Sequence, residues 1–148
     1  MSISYDKKYA FIVEIDGFAR AAFKTCGELA IEFGESSIRE GGKMIPHKEP
    51  ALASIPDITL TRGKSNDKDF RDWTKEVCDM VAGVGGTPGD EYLKNGAIVQ
   101  LDRDGSEKRR YPFYKAWPKR RSVGDWDNDS EEFQIESMTL SIGYWEEV

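Results

Sequence analysis

Large apolar residues occupy every second position in two segments near the start of the chain, residues 9–16 and 28–35. Because successive side chains of a strand point to opposite faces, this pattern predicts β-strands with one face against a core. The dipeptide Asp16-Gly17 is typical of a hairpin turn, so we expect residues 9–16 to pair with residues 19–25. Residues 28–35 are expected to extend this hairpin into a meander. The alternating apolar positions are Tyr9, Phe11, Val13, Ile15, Leu29, Ile31 and Phe33.

One segment has the period of an α-helix instead. Within residues 67–82 an apolar stripe recurs at helical spacing, and Gly83 is expected to end the helix. A tryptophan in such a stripe is usually part of a core. We therefore expect the helix to pack its stripe against a sheet. The predicted core residues of the helix are Phe70, Trp73 and Val77, followed along the same stripe by Val81.

The second half of the chain predicts more strands. Residues 97–103 and 107–117 flank the turn Asp104-Gly105 and are expected to form a hairpin. Residues 133–144 form a last strand whose apolar positions change phase, so a β-bulge is predicted near Glu136-Ser137. The expected fold is mainly β: an antiparallel β-sandwich or half-open barrel with one flanking helix.

Length and charge narrow the class of protein. The 148 residues suit a single domain over residues 1–148, and a net charge of −6 argues against a general affinity for polyanions. The longest apolar run is residues 9–13, too short to span a membrane, and no charged-then-apolar leader is evident. We expect a protein made in the cytoplasm. Cys26 and Cys78 lack the spacing of a metal or redox pair.

Residues 36–56 contain five glycines and prolines and no sustained period, which predicts a long loop. Loops of this length inside a compact domain usually bind or assemble something. Its apolar side chains need cover, so we expect a neighbouring subunit to supply it. The residues assigned to this assembly loop are Glu40, Gly41, Gly42, Met44, Ile45, Pro46, His47, Lys48 and Pro50.

Candidate chemical sites are weak. Asp125, Asp127, Asp129 and Glu136 stand at positions one, three, five and twelve of a calcium-loop pattern, but Ser130 replaces the required glycine. An acidic loop of this kind is more often simply solvated, so we expect no metal. The single His47 has no nucleophile placed beside it by a recognisable motif. We therefore expect neither an enzyme nor a cofactor.

Two basic runs, residues 108–110 and 119–121, are separated by aromatic residues. Such interleaving can bind single-stranded nucleic acid, whereas an acidic chain favours contacts between subunits. The residues assigned to inter-subunit contacts are Arg109, Arg110, Arg120 and Arg121. The alternatives are a nucleic-acid-binding adaptor and a monomeric β-barrel that binds a small ligand. The ligand pocket would be formed by Trp73, Trp117 and Trp126.

Several segments together carry a family resemblance. The run Glu-Gly-Gly-Lys-Met-Ile-Pro-His-Lys-Glu-Pro starting at Glu40 precedes a strand at residues 58–63. Residues 11–18 and 23–29 lie upstream, and residues 114–118 and 135–140 follow. In this order the segments resemble the tail tube (inner tube) proteins of contractile phage tails and related contractile injection systems. The resemblance extends over residues 9–145.

The resemblance implies a structural subunit. Members of this family form hexameric rings with a continuous inter-subunit β-barrel, and the rings stack into a tube. The implied partners are further copies of the chain, a sheath protein, baseplate or tube-initiator proteins and a tail terminator, with DNA or effector cargo in the channel. The implied location is a virion tail or an injection particle. Acidic channel walls would repel DNA, and the candidate lumen-facing residues are Glu14 and Glu32.

Overall fold

The computed structural model describes residues 5–18 and 23–148. These residues form mainly antiparallel β-structure with one helix. Strand by strand, the order along the chain is β1 (Phe11–Ile15), β2 (Thr25–Cys26), β3 (Glu32–Ile38), β4 (His47–Ser54), β5 (Ile58–Gly63), α1 (Asp69–Val77), β6 (Lys94–Leu101), β7 (Glu107–Gly124), β8 (Ile135–Ser141) and β9 (Tyr144–Trp145).

A seven-stranded sheet forms the body of the molecule. Its order is β1-β6-β7-β8-β5-β2, with β9 paired to β7. The long strand β7 joins two halves, because its first part pairs with β6 and β9 and its last part pairs with β8. A register shift between Pro118 and Arg120 separates its two contacts with β8. One strand thus takes part in both halves of the sheet.

The predicted hairpin around Asp104-Gly105 is confirmed. Strands β6 and β7 pair on either side of it, and Gly105 has a φ of 85°. Such a φ is easily reached only by glycine. The first predicted hairpin differs. Strand β1 pairs with β6, and residues 19–22 lie outside the described residues, while the described Thr25 pairs with Thr61 of β5.

The hydrophobic core lies between the halves of the sheet and the helix. Phe70 and Trp73 are buried as predicted, and the Trp73 indole N–H donates to the carbonyl of Tyr92 at 2.7 Å. Val77 is half-buried at the end of α1. The other core positions come from the strands, the segment before β2 and the connection after β8, namely Val13, Ile15, Phe23, Ile58, Leu60, Phe113, Ala116, Met138, Leu140 and Ile142.

The helix is shorter than predicted, because it ends at Val77 and not at Ala82. The chain then folds back, so that the backbone N–H and hydroxyl of Thr87 donate to the carbonyl of Glu76. Gly86 makes this possible: a Cβ there would lie 2.3 Å from the same carbonyl oxygen. Val81 consequently leaves the apolar stripe and is 92% exposed.

Strand β8 also differs from its prediction. It has no bulge at Glu136-Ser137, since its register with β5 runs without a shift from Ile135 to Leu140. Glu136 occupies a core position beside Met138, fully buried. Its carboxylate accepts hydrogen bonds from Arg62 at 3.3 Å and from Arg121 at 2.8 Å. These two arginines compensate the buried charge, so the alternation continues through a glutamate.

Candidate assembly site

Strands β3 and β4 form a two-stranded arm outside the main sheet. Their ladder extends from Glu32 opposite Ser54 to Ile38 opposite His47. Residues 36–56 are therefore not an irregular loop, and residues 28–35 do not extend the first meander. Both predictions are wrong, because the backbone amides and carbonyls of these segments pair with one another across the arm.

Both faces of the arm are exposed over its whole length. Cross-strand pairing puts Phe33 and Ala53 on one face of the arm. Ile38 and His47 lie on the other face, because the extra residue of the bulge is on β4 and the alternation along β3 is unbroken. Both faces therefore carry exposed apolar side chains, and extensive exposed apolar surface marks interaction sites in soluble proteins. The exposed fractions of the large apolar side chains are Phe33 61%, Ile38 65%, Met44 91%, Ile45 81% and Leu52 89%.

The arm is held by little beyond its own ladder. Lys48 pairs with Glu35 at 3.3 Å, and His47 with Glu49 at 2.9 Å. These pairs are solvent-exposed, and such pairs contribute about 0–1 kcal/mol. An isolated two-stranded hairpin is at best marginally stable in water. We therefore infer that the arm is stabilised by packing against another surface.

An apolar cleft of about 600 Å³ opens beside the root of the arm. The Trp145 indole N–H donates to the carbonyl of Ala30 at 2.8 Å and fixes one side of the cleft. Burial raises the pKa of the Cys26 thiol to about 11, so this thiol stays protonated at neutral pH. The apolar walls are Phe11, Leu29, Ile98, Tyr111 and Trp145.

Sequence reasoning missed this cleft. Its walls come from segments distant in the chain, although two of them, Phe11 and Leu29, belong to the alternating apolar positions of the sequence.

The candidate lumen residues lie in different sheets. Glu14 is on β1, and its carboxylate accepts a hydrogen bond from Arg110 at 2.6 Å. Glu32 begins the exposed arm. They therefore do not form one acidic wall on neighbouring strands within a single chain. Glu14 does lie on the face of β1 opposite the buried Val13, as the alternation predicts.

The basic residues of the first run, 108–110, form ion pairs within the chain. Arg109 pairs with Asp6 at 2.6 Å, and Arg110 pairs with Glu107 at 2.9 Å in addition to Glu14. Hydrogen bonds from Lys108 and then Arg109 hold the pKa of Asp6 below its usual value. These contacts leave little of the first basic run for nucleic acid.

The second basic run is also largely occupied. Lys119 pairs with Asp57 at 3.0 Å, and Arg121 pairs with the buried Glu136. Arg120 is exposed and has no ion pair with any residue in the described ranges. Of the four arginines assigned to inter-subunit contacts, Arg120 is thus the one whose charge is uncompensated within the described chain.

The calcium-loop candidates are not brought together. Glu136 is enclosed by arginines, whereas Asp125, Asp127 and Asp129 are exposed, with the Asp129 amide donating to Asp127 at 3.0 Å. Across residues 5–18 and 23–148, no group of three or more metal-ligating side chains is found. The calcium interpretation is wrong for Glu136, because its two oxygens already accept from Arg62 and Arg121.

The tryptophan pocket is likewise not formed. Trp73 is buried in the core, while Trp126 is 78% exposed on the connection between β7 and β8. The two therefore do not line a common cavity. Within the described part of the chain, no helix is long and apolar enough to cross a membrane.

The sequence matches the profile of the T4-like virus tail tube protein gp19 over residues 7–146. The chain belongs to this tail tube protein family. A comparison with curated protein sequences finds no significant match. Membership makes the chain a structural tube subunit, so the arm and the cleft are candidate assembly surfaces.

Solved structures show the same tail tube fold. A chain of the sheath/tube terminator of the extracellular contractile injection system PVC superposes with a TM-score of 0.83 at 19% identity, covering 99% of each chain. The anti-feeding prophage tube terminating cap gives 0.81 at 20% identity, covering 100% of this chain and 94% of that one. Hcp1 from Flavobacterium johnsoniae is more distant, at 0.53 and 12%, covering 94% of each.

Proposed function

We propose that this protein polymerises as stacked hexameric rings into the rigid inner tube of a contractile tail or injection machine. The observation that carries the proposal is the exposed arm, Glu32–Ser54, in a chain of the tail tube family. A monomer would gain nothing from displaying five large apolar side chains to water, since each buried methylene group is worth about 0.8 kcal/mol. Further copies of the chain are the proposed partners that bury these side chains.

Proteins with the same fold support a proposal for the partners of this tube. Chains with the same fold occur in a PVC sheath–tube complex, in the anti-feeding prophage baseplate and in its tube terminating cap. The proposed partners are accordingly a sheath protein, a baseplate or tube-initiator protein and a terminator, with DNA or effector cargo in the channel. The protein would be made in the host cytoplasm and incorporated into a virion tail or injection particle. It would do its work without catalysis.

The arm can be removed with little damage to the body. Glu32 and Ser54 are cross-strand partners, so their Cα atoms lie about 5 Å apart and a two-residue Asn-Gly turn can join them. Replacing residues 33–53 in this way should leave a folded subunit that forms no tubes. Circular dichroism reports the fold, and negative-stain electron microscopy reports polymerisation.

A matched control is available in the turn after α1. Met80 and Val81 are as exposed as the apolar residues of the arm, at 84% and 92%. The double substitution Met80→Ser and Val81→Ser should leave tubes intact. Tubes of normal length and width from the armless chain would contradict the assembly role of the arm.

A further inference from the structure

At the apolar cleft, side chains on the core-facing side of the sheet are partly exposed to solvent. In the ladder Ile98 lies opposite both Val13 and Tyr111, so all three share the face that builds the core. Val13 is fully buried, whereas Ile98 and Tyr111 remain partly exposed at the cleft. The cleft therefore exposes apolar surface that burial would stabilise.

The arm of the same chain does not reach this cleft with its tip. Leu29 belongs to the cleft wall, and the arm begins three residues later at Glu32. The tip, residues 39–46, lies beyond strands of seven and eight residues. At about 3.3 Å per residue, the tip is on the order of 20 Å from the root. A cleft at the root is thus open to the tip of another copy.

We propose that the arm tip of one subunit inserts Met44 and Ile45 into the cleft of a second subunit. This inference rests on the proposed function and names the surface that receives the arm. Met44 and Ile45 are 91% and 81% exposed, and the cleft volume is about 600 Å³. A flexible methionine suits an irregular apolar cavity of this size.

The proposed contact has a direction. The tip and the cleft are different surfaces of one chain, so each subunit offers one tip and receives another. Where two subunits do not exchange tips reciprocally, such head-to-tail contacts produce rings or open filaments. A tip of eight residues buries less than the ~1,000 Å² expected of a stable interface. Single contacts should consequently be weak, and polymerisation should depend on several contacts made together.

Photo-crosslinking in assembled tubes tests the contact. A minority of chains carries p-benzoylphenylalanine in place of Met44 and is co-assembled with isotope-labelled unmodified protein, so the probe-bearing chain need not polymerise alone. Chains with the same probe in place of Met80, which is 84% exposed, are the matched control. Proteolysis and mass spectrometry then identify the peptides joined to labelled neighbours.

The expected crosslinks from position 44 join labelled peptides that contain residues 26–29, 98–111 or 145, and crosslinks from position 80 do not. The proposal would be overturned if position 44 crosslinked to other peptides instead, or if position 80 crosslinked to the cleft peptides equally well. Either result would leave the proposed tube function unaffected. Failure of the unmodified protein to form any polymer would overturn both.

Discussion

At the scale of single residues, a buried charge cluster connects three elements of the fold. The Arg62 guanidinium lies 3.8 Å from the Phe70 ring centroid and bonds both Asp69 and Glu136. Burial acts to lower the pKa of Arg62, but hydrogen bonds and attraction from Asp69 and then Glu136 outweigh it and raise the pKa. Arg62 therefore stays charged and joins β5, β8 and α1.

Glu136→Gln tests this cluster. The amide keeps the shape of the side chain but removes the charge that compensates Arg62 and Arg121. Removing one partner of a buried ion pair costs about 3–5 kcal/mol. The urea midpoint should fall accordingly, whereas Glu132→Gln, on the exposed connection after β7, should change stability by less than about 0.5 kcal/mol. Equal midpoints for the two variants would show that the cluster is not needed for stability.

At the scale of elements, α1 is attached to the sheet by a short contact surface. Its nine residues bury Phe70 and Trp73, and Phe18 packs on both rings with centroid distances of 5.8 and 5.4 Å. A helix of this length would not be stable alone in water. Its stability therefore comes from the two buried aromatic side chains and from the ion pair of Asp69 with Arg62.

Trp73→Ala should destabilise the protein by about 3–5 kcal/mol, because it leaves a cavity and removes the hydrogen bond to Tyr92. Met80→Ala is the control, since Met80 lies past the end of the helix and is 84% exposed. Thermal melting monitored by circular dichroism compares the two. An unchanged melting temperature for Trp73→Ala would place the tryptophan outside the core.

At the scale of the whole molecule, net charge bears on the proposed channel. The chain carries a net charge of −6, and a ring of six copies would carry −36, from six times −6. We propose that Glu14 and Glu32 contribute to the channel wall. Glu32 is exposed, while part of the charge of Glu14 is compensated by Arg110. Glu32 should accordingly contribute more to repulsion of DNA.

The double substitution Glu14→Gln and Glu32→Gln removes two negative charges per chain. Tubes should retain DNA longer, and the effect should weaken at high salt because counterions compete for phosphate. Glu131→Gln with Glu132→Gln changes the net charge equally and serves as the control. DNA co-sedimentation with tubes at several salt concentrations measures retention. Equal retention by both variants would exclude a specific role for Glu14 and Glu32 in the channel.

The sequence by itself determined the features that depend on neighbouring residues. The period of two specified which side chains of β1 face the core, and Asp104-Gly105 specified the β6–β7 hairpin. Helical spacing identified the buried Phe70 and Trp73. Order and spacing of several segments also carried the family resemblance, which the match over residues 7–146 confirms.

Tertiary structure decided what depends on distant partners. A hairpin with both faces exposed does not require apolar and polar side chains to alternate. Residues 36–56 therefore lacked the sequence pattern of strands, although backbone hydrogen bonds pair β3 with β4 in the arm. Glu136 occupies a core position only because Arg62 and Arg121 arrive from two other strands. The cleft forms because Leu29 and Trp145, 116 positions apart in sequence, line one cavity together with residues of β1, β6 and β7. Local patterns specify which way a side chain points, but pairing and charge compensation between remote segments decide what it meets.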